Sequence, residues 1–504
     1  MRRREFLRTG TAALGLGTLA PIMVSSRPTP PRPVPTPPQL AWQRAERALF
    51  VHFTINTFTD REWGDGTEDP RLFAPARLDA GQWARAAKAR GFRNMILTAK
   101  HHDGFCLWPS RHTDHSVRRS PWRDGRGDLV REFVDAARTE GLGVGLYVSP
   151  WDRHEASYGD SPRYNDFYCA QLEELLTGYG PLVEVWFDGA NGEGPNGKRQ
   201  EYDWPRIHRV VRTLQPQALI FSDAGPDIRW IGNEHGVAGD PNWCAVDPAR
   251  VPYPGVSGPE VTGALQHGDP EGSVWRPGEA DVSIRPGWFW HAAEDDRVRT
   301  IEDLVDLYFT SVGRNSGLLL NVPPTAEGLF HETDGRRLAQ FGERIRATFA
   351  HDLAAGSRAR ASGRADRRHT ADRVADGDPD SFWSPGKGNP RGGVELDLPR
   401  PVAFDVACLQ EAIEHGQCVE RYRLEASAGG GWQTVTRGTT IGHKKLDRFP
   451  AVTATRVRLT VESALDTIRI SALRLYRSET AGRTERAGAP KAPRLATDSD
   501  LKPG

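Results

Sequence analysis

Strand-like and helix-like segments alternate from Ala48 to Phe349, and that alternation limits the fold more than any other feature of the chain. Strands are expected at Ala48–Phe53, Asn94–Ala99, Gly143–Ser149, Leu182–Ala190, Ala218–Ser222, Ile228–Ile231, Val282–Ile284 and Leu318–Val322. Helical spacing of apolar residues marks Asp79–Arg90, Asp128–Glu140, Tyr164–Leu176, Pro205–Leu214, Ile301–Val312 and Arg336–Phe349 between them. Asp79 can cap the first of these helices and Gly91 can close it. Repeated strand–helix units call for a parallel sheet covered by helices. The fold class is therefore α/β, a (β/α)8-like TIM barrel. A doubly wound open sheet is the alternative, but no Gly-x-Gly-x-x-Gly phosphate loop follows the first strand. Residues 240–280, rich in Pro and Gly, read as a long surface or active-site loop.

The pattern then changes. Residues 356–477 show short alternating runs with Gly and Pro between them, which predicts a C-terminal β-sandwich. At the other end, seven prolines between Arg27 and Gln39 predict an extended linker, with the folded part starting near Trp42. The expected boundaries are a signal peptide over 1–26, a linker over 27–41, a barrel over 42–350, a sandwich over 356–477 and a disordered tail over 478–504. Arg3-Arg4-Glu5-Phe6-Leu7 followed by an apolar stretch from Thr11 to Val24 fits the twin-arginine export pattern, with an ordinary secretory signal as the alternative. The expectation is a secreted or periplasmic protein with no membrane anchor once the signal is removed. Lys plus Arg and Asp plus Glu are both 66, so charge makes no case for nucleic acid as a partner. Five scattered cysteines form no Cys-x-x-Cys pair; Cys408 and Cys418 can bridge after export or be free buried thiols.

The strand at Leu182–Ala190 stops at a carboxylate and a glycine, Asp188-Gly189. The C-terminal ends of parallel barrel strands are where such folds place chemistry, although an Asp there can also be a plain turn former. Other strand ends carry polar groups suited to a sugar: His52, Glu62 and Trp63, His101 and His102, Trp151, Glu234, Arg285 and Trp288. A barrel brings them to one face, where a pyranose finds hydrogen-bond partners for its hydroxyls and an apolar surface to stack on. Adjacent histidines suggest zinc, but no third ligand sits at a characteristic spacing, so neither a metal nor a cofactor is expected. Trp186 and Trp288 have a plain core reading as well, and Arg285 can serve as an ion-pair partner.

From Trp42 to Val322 the chain resembles the α-L-fucosidases of glycoside hydrolase family 29. The likeness rests on FTINTF after His52, EWGDG from Glu62, LTAKHHDGFCLWPS (97–110), SPWD (149–152), VWFDGANGEGPNG (185–197), WIGNE (230–234) and SIRPGWFWH (283–291). It is closer to the branch acting on α-1,3/1,4-linked fucose, because His52-Phe53-Thr54 stands where the broader branch has His-Trp-Gly. The resemblance implies a retaining exo-enzyme with Asp188 as nucleophile and Glu234 as acid/base, with Glu279 as the runner-up. It implies that His52, Glu62, Trp63, His101 and His102 hold fucose. Trp151, Trp186, Arg285 and Trp288 lie in matching motifs. Fucosylated oligosaccharides or glycoproteins would be the substrates; a fucose-binding lectin, or a glycosidase of a related sugar, are the other readings. The C-terminal region resembles discoidin-like (coagulation factor 5/8 type C) modules through Val374–Asp378 and Ser381–Trp383. It can be carbohydrate-binding or structural, and a structural calcium near Asp376 is left open.

Overall fold

The computed structural model describes residues 32–478. The signal expected over 1–26 and nearly all of the tail expected over 478–504 lie outside the described residues. Eight parallel strands close into a barrel: β1 (Arg47–Val51), β2 (Asn94–Lys100), β3 (Gly143–Val148), β4 (Glu184–Trp186), β5 (Leu219–Ser222), β6 (Ile228–Trp230), then, past a short ribbon of β7 (Ala245–Val246) and β8 (Val274–Trp275), β9 (Gly278–Ser283) and β10 (Ser316–Asn321). Leu49 of β1 lies level with Met95 of β2 and Leu320 of β10, which closes the ring.

The two-residue period sorts the strand side chains. Ala48, Phe50, Ile96, Tyr147, Trp186, Phe221, Ile228 and Leu319 fill the interior. Leu49, Val51, Leu97, Leu146 and Val185 face the surrounding helices and join the larger core. Asp79 and Asp128 cap their helices by accepting the backbone N–H three residues on, each worth about 1 kcal/mol. One unit departs from the plan. Only residues 223–227 connect β5 to β6, with no helix between them.

Two expectations are corrected. The linker expected over 27–41 is partly helical: a helix spans Pro37–Ala45. Pro37 and Pro38 sit in the first turn, where the missing N–H has no helical partner to lose, and Thr36 and Gln39 form a capping box. This helix drops Trp42 into the bottom of the barrel, against Gly317, where a Cβ would meet the indole at 2.6 Å. Residues 240–280 are not one loop either. They hold β7, a helix at Pro259–His267, β8 and the start of β9. Their Pro and Gly residues begin and flank these elements rather than prevent them.

The C-terminal region is an antiparallel sandwich of β11 (Arg358–Ala361), β12 (Gly392–Glu411), β13 (Val419–Ser427), β14 (Gln433–Gly438), β15 (Lys445–Ala464) and β16 (Ile470–Tyr476). β12 and β15 run 20 residues each, with a register shift between Asp397 and Val402 around Pro401. Trp383, Leu396, Phe404, Tyr422 and Leu459 form its core. The sandwich docks on the N-terminal end of the barrel. Lys444 pairs with Glu46 just before β1, and His443 N–H donates to Asn315 just before β10. Gln417 is buried against Asn242, Cys244 and Asn315. All five cysteines, Cys408 and Cys418 included, are free and buried.

Candidate active site

The opposite, C-terminal ends of the strands form an open cup. Asp188 stands two residues past β4, on the interior face set by Glu184 and Trp186. Its Oδ2 accepts from the Tyr147 hydroxyl at 3.0 Å and its Oδ1 from the Ala190 N–H at 2.7 Å. Below it Trp186 stacks on Phe221 and Tyr147, ring centroids 4.1 and 5.1 Å apart, making a dry floor.

Three histidines line the side towards β1 and β2. Asn321, at the end of β10, accepts from both the N–H and Nδ1 of His52, while its amide donates to Ser283 and the Trp288 carbonyl. That network fixes the proton on Nδ1 and leaves Nε2 as an acceptor. Burial, with a smaller contribution from His102, holds the ring neutral, its pKa pushed down to about 3. His102 follows the same logic. Its Nδ1 lies 2.7 Å from the Ser149 hydroxyl, which spends its own proton on the Trp151 carbonyl, so Nδ1 must donate. His102 Nε2 then faces Asp188 Oδ2 at 3.9 Å. Burial depresses the His102 pKa, opposed by the Asp188 charge. His101 packs between His102 and Tyr147, and burial holds it well below its ordinary value. Two neutral imidazole nitrogens that accept hydrogen bonds are suited to sugar hydroxyls.

Aromatic rings form the rim. Trp63, 53% exposed, stands nearly perpendicular to the rings of His102 and Trp151, and Trp151 is fixed by donating to the Glu193 carbonyl. Trp288 lies over His52 at 5.1 Å and donates its indole N–H to Glu234 Oε2 at 3.3 Å. Glu62 holds this ring in place: its carboxylate accepts from the N–H groups of Trp288 and Phe289 and pairs with His291. Gly287 permits the approach, since a Cβ there would sit 2.4 Å from Glu62 Oε1. Glu234 stands at the mouth. It is exposed along one side, yet enough protein surrounds the carboxyl for desolvation to raise its pKa; the charges of Asp188 and Glu62 raise it further, against the Trp288 hydrogen bond.

The family-level signal spans the same elements. Residues 41–240 and 255–348 match the alpha-L-fucosidase family, and residues 358–473 match the F5/8 type C domain. The chain belongs to the alpha-L-fucosidase family. A relative from Oryza sativa is 47% identical over 448 residues, 87% of this chain and 85% of its own length. Alpha-L-fucosidase 1 of Arabidopsis thaliana is 43% identical over 466 residues, covering 91% and 90%. Among solved structures, SpGH29 superposes with a TM-score of 0.85 at 41% identity, covering 90% of this chain and all of that one. A Ruminococcus gnavus GH29 fucosidase in complex with fucose gives 0.82 at 34% identity, covering 89% and 96%.

Two residues expected at the fucosidase site are placed elsewhere. Glu279 is the second residue of β9, at the bottom of the barrel, where it accepts from the Trp186 indole beneath the floor. Arg285 is buried and points away from the cup. It pairs with Asp334 at 2.8 Å and Asp295 at 2.9 Å and donates to the His291 carbonyl, so it braces the Trp288 loop. The residue follows an interior strand position by two, but the chain has already turned outward at Ser283–Gly287.

Sequence reasoning missed Tyr147, Ser149, Asn321 and Asp223. Asn321 carried the signal that exposed Asp188, a polar residue ending an apolar strand. Tyr147 shares an interior period with Gly145 on β3. Asp223, past the end of β5, accepts from the N–H groups of Gly255 and Ala224; burial, with the charge of Asp188, pushes its pKa up to about 6. Among the described residues, no group of three or more His, Cys, Asp or Glu is arranged to hold a metal ion. Near Asp376 the carboxylate is occupied by Ser381 and the Asp378 N–H.

Proposed function

We propose that this α-L-fucosidase is a retaining exo-enzyme that releases α-1,3/1,4-linked fucose from branched oligosaccharides or glycoconjugates. One observation carries the reading: a carboxylate held by two donors at the end of β4 shares a cup with a second carboxyl whose pKa is raised. Asp188, ionised, attacks the anomeric carbon and displaces the aglycone, forming a covalent fucosyl-enzyme. Glu234 enters protonated, gives its proton to the departing oxygen, and then takes one from the incoming water. Its raised pKa supports the first role. Double displacement of this kind sets the two carboxyls about 5–5.5 Å apart. His52 and His102 accept from ring hydroxyls, and Trp63 and Trp288 pack against the apolar C6 methyl of the deoxy sugar.

The substrate set supplies the first test. Purified enzyme is assayed on a Lewis-type trisaccharide and on p-nitrophenyl α-L-fucoside. Fucose released mainly from the trisaccharide supports the linkage assignment; preference for the aryl substrate removes it. With Asp188→Ala, azide should yield the β-fucosyl azide, and with Glu234→Ala the α-fucosyl azide. Any other stereochemistry overturns the assigned roles. Export through the twin-arginine route is part of the proposal. It is tested by cell fractionation of Arg3→Lys/Arg4→Lys, which should keep the enzyme in the cytoplasm.

A further inference from the structure

Where the sandwich docks on the barrel, at the end of the strands opposite the cup, the two enclose a pocket of about 700 Å³. Its lining carries seven cations and no acid. From the barrel come Arg47, which opens β1, and Arg93, just before β2. Lys88 and Arg90 end the helix Ala80–Ala89, and Arg346 stands in the last turn of the helix Glu332–Thr348. The sandwich adds Arg474 of β16 and Lys444, just before β15. In a chain whose charges balance at 66 and 66, this is a concentrated field of one sign.

Local structure accounts for only part of it. Lys444 is paired with Glu46. Lys88, Arg90 and Arg346 suit the negative ends of their helices. Arg47 lies over the rings of Phe92 and Tyr308, at 5.8 and 5.6 Å, and donates to the Arg90 carbonyl. Among the described residues, none of Arg47, Lys88, Arg90, Arg93, Arg346 and Arg474 pairs with a carboxylate. Two neighbouring acids are already committed. Glu46 also accepts from the Tyr308 hydroxyl, and Asp352 from the N–H groups of Ala354 and Leu475. Two modules thus dock with like charges on both walls of one cavity, a repulsion that the protein's own carboxylates leave standing.

The rest of the lining narrows the ligand. The volume exceeds that of one inorganic ion and falls in the range of small-molecule sites. Phe349 of the barrel packs on Tyr308 and on Tyr476 of β16, ring centroids 5.9 and 5.0 Å away, and all three rings line the pocket. Guanidinium groups match the oxygens of sulfate and phosphate esters in pairs, and an aromatic wall suits the apolar face of a sugar ring.

We propose that this pocket binds a small sugar carrying two or more sulfate or phosphate esters, held jointly by the barrel and the sandwich. Such a ligand supplies the charge that the interface lacks, and its binding is independent of events in the cup. The test is calorimetric titration of the full chain in about 0.1 M salt, where the Debye length is about 10 Å. The probes are a trisulfated heparin disaccharide, fructose 1,6-bisphosphate and inorganic sulfate. At least one of the two sugars should bind, and more tightly than inorganic sulfate. Binding of the first alone identifies sulfate esters as the ligand chemistry, and binding of the second alone phosphate esters. Affinity should fall at least about ten-fold in Lys88→Gln/Arg93→Gln, two exposed barrel side chains, and again in Arg474→Gln on the sandwich. Arg364→Gln/Arg367→Gln, which removes two exposed charges elsewhere on the sandwich, should change nothing. Hydrolysis of the aryl fucoside should be unaltered in every variant, which checks the fold. The proposal is overturned if neither sugar binds the wild type, or if inorganic sulfate binds as tightly as the sugars. Equal loss in the Arg364/Arg367 variant overturns it too, and undiminished binding by Arg474→Gln removes the shared grip.

Discussion

Glu184 and Glu279 meet at the bottom of the barrel with almost no access to water. Glu184 accepts from the Trp42 indole at 3.0 Å and Glu279 from the Trp186 indole at 2.9 Å. Burial pushes Glu184 up to about 8; burial and the nearby Glu184 charge push Glu279 well above the usual carboxylate range. An unfolded glutamate titrates near 4.3, so at neutral pH the folded pair holds at least one proton that the unfolded chain has lost. A raised folded pKa gives stability that is complete below the unfolded value and lost as pH rises through the folded one. The window runs from about pH 4.5 to about 8. Glu279→Gln keeps the shape and the acceptor for Trp186, offers an amide N–H to Glu184, and deletes one titrating group. One bound proton is worth about 1.4 kcal/mol per pH unit. The stability of the wild type relative to the variant should thus fall by about 2.7 kcal/mol between about pH 5.5 and 7.5. Urea unfolding across that interval measures it, and the titrating groups outside this pair cancel in the difference. Parallel pH curves for the two proteins would refute the reasoning.

Trp42→Phe keeps the ring in the barrel floor but removes the donor to buried Glu184, and should cost about 1–3 kcal/mol in urea unfolding, with Trp42→Ala losing about 3–5 kcal/mol of packing in addition. Trp288→Phe removes the hydrogen bond that lowers the Glu234 pKa, so the alkaline limb of the kcat/KM profile should move to higher pH; a shift the other way would dissociate Glu234 from that limb. Arg285→Met should weaken fucose hydrolysis through a loosened Trp288 loop, together with loss of stability from the orphaned Asp334; an effect on activity with no loss of stability would return Arg285 to the cup.

The barrel was legible because its strands alternate between two apolar environments, the interior and the helix layer, and helices between them open on a capping Asp such as Asp79 and Asp128. Strand ends were harder. Glu279 and Asp188 look alike in sequence, an acid within an apolar run, and only the position along the strand separates a floor from a mouth. β9 begins four residues before the expected Val282, and that shift carries Glu279 to the wrong end for catalysis. Pro37 and Pro38 misled in another way, since the same residue that breaks a helix interior starts one well. The partners that orient the histidines, Ser149 and Asn321, come from strands far apart in sequence, and no local pattern links them to His102 and His52.

The sandwich sits on Glu46 and Asn315, at the end of the strands opposite Asp188. Strands of five to seven residues at about 3.3 Å each put roughly 15–25 Å of packed barrel between that interface and the cup. A short glycan cannot touch both. Were the sandwich to grip a carbohydrate surface, it would act as a foot rather than a finger, holding the enzyme down while the mouth looked away and grazed on neighbouring chains within its reach.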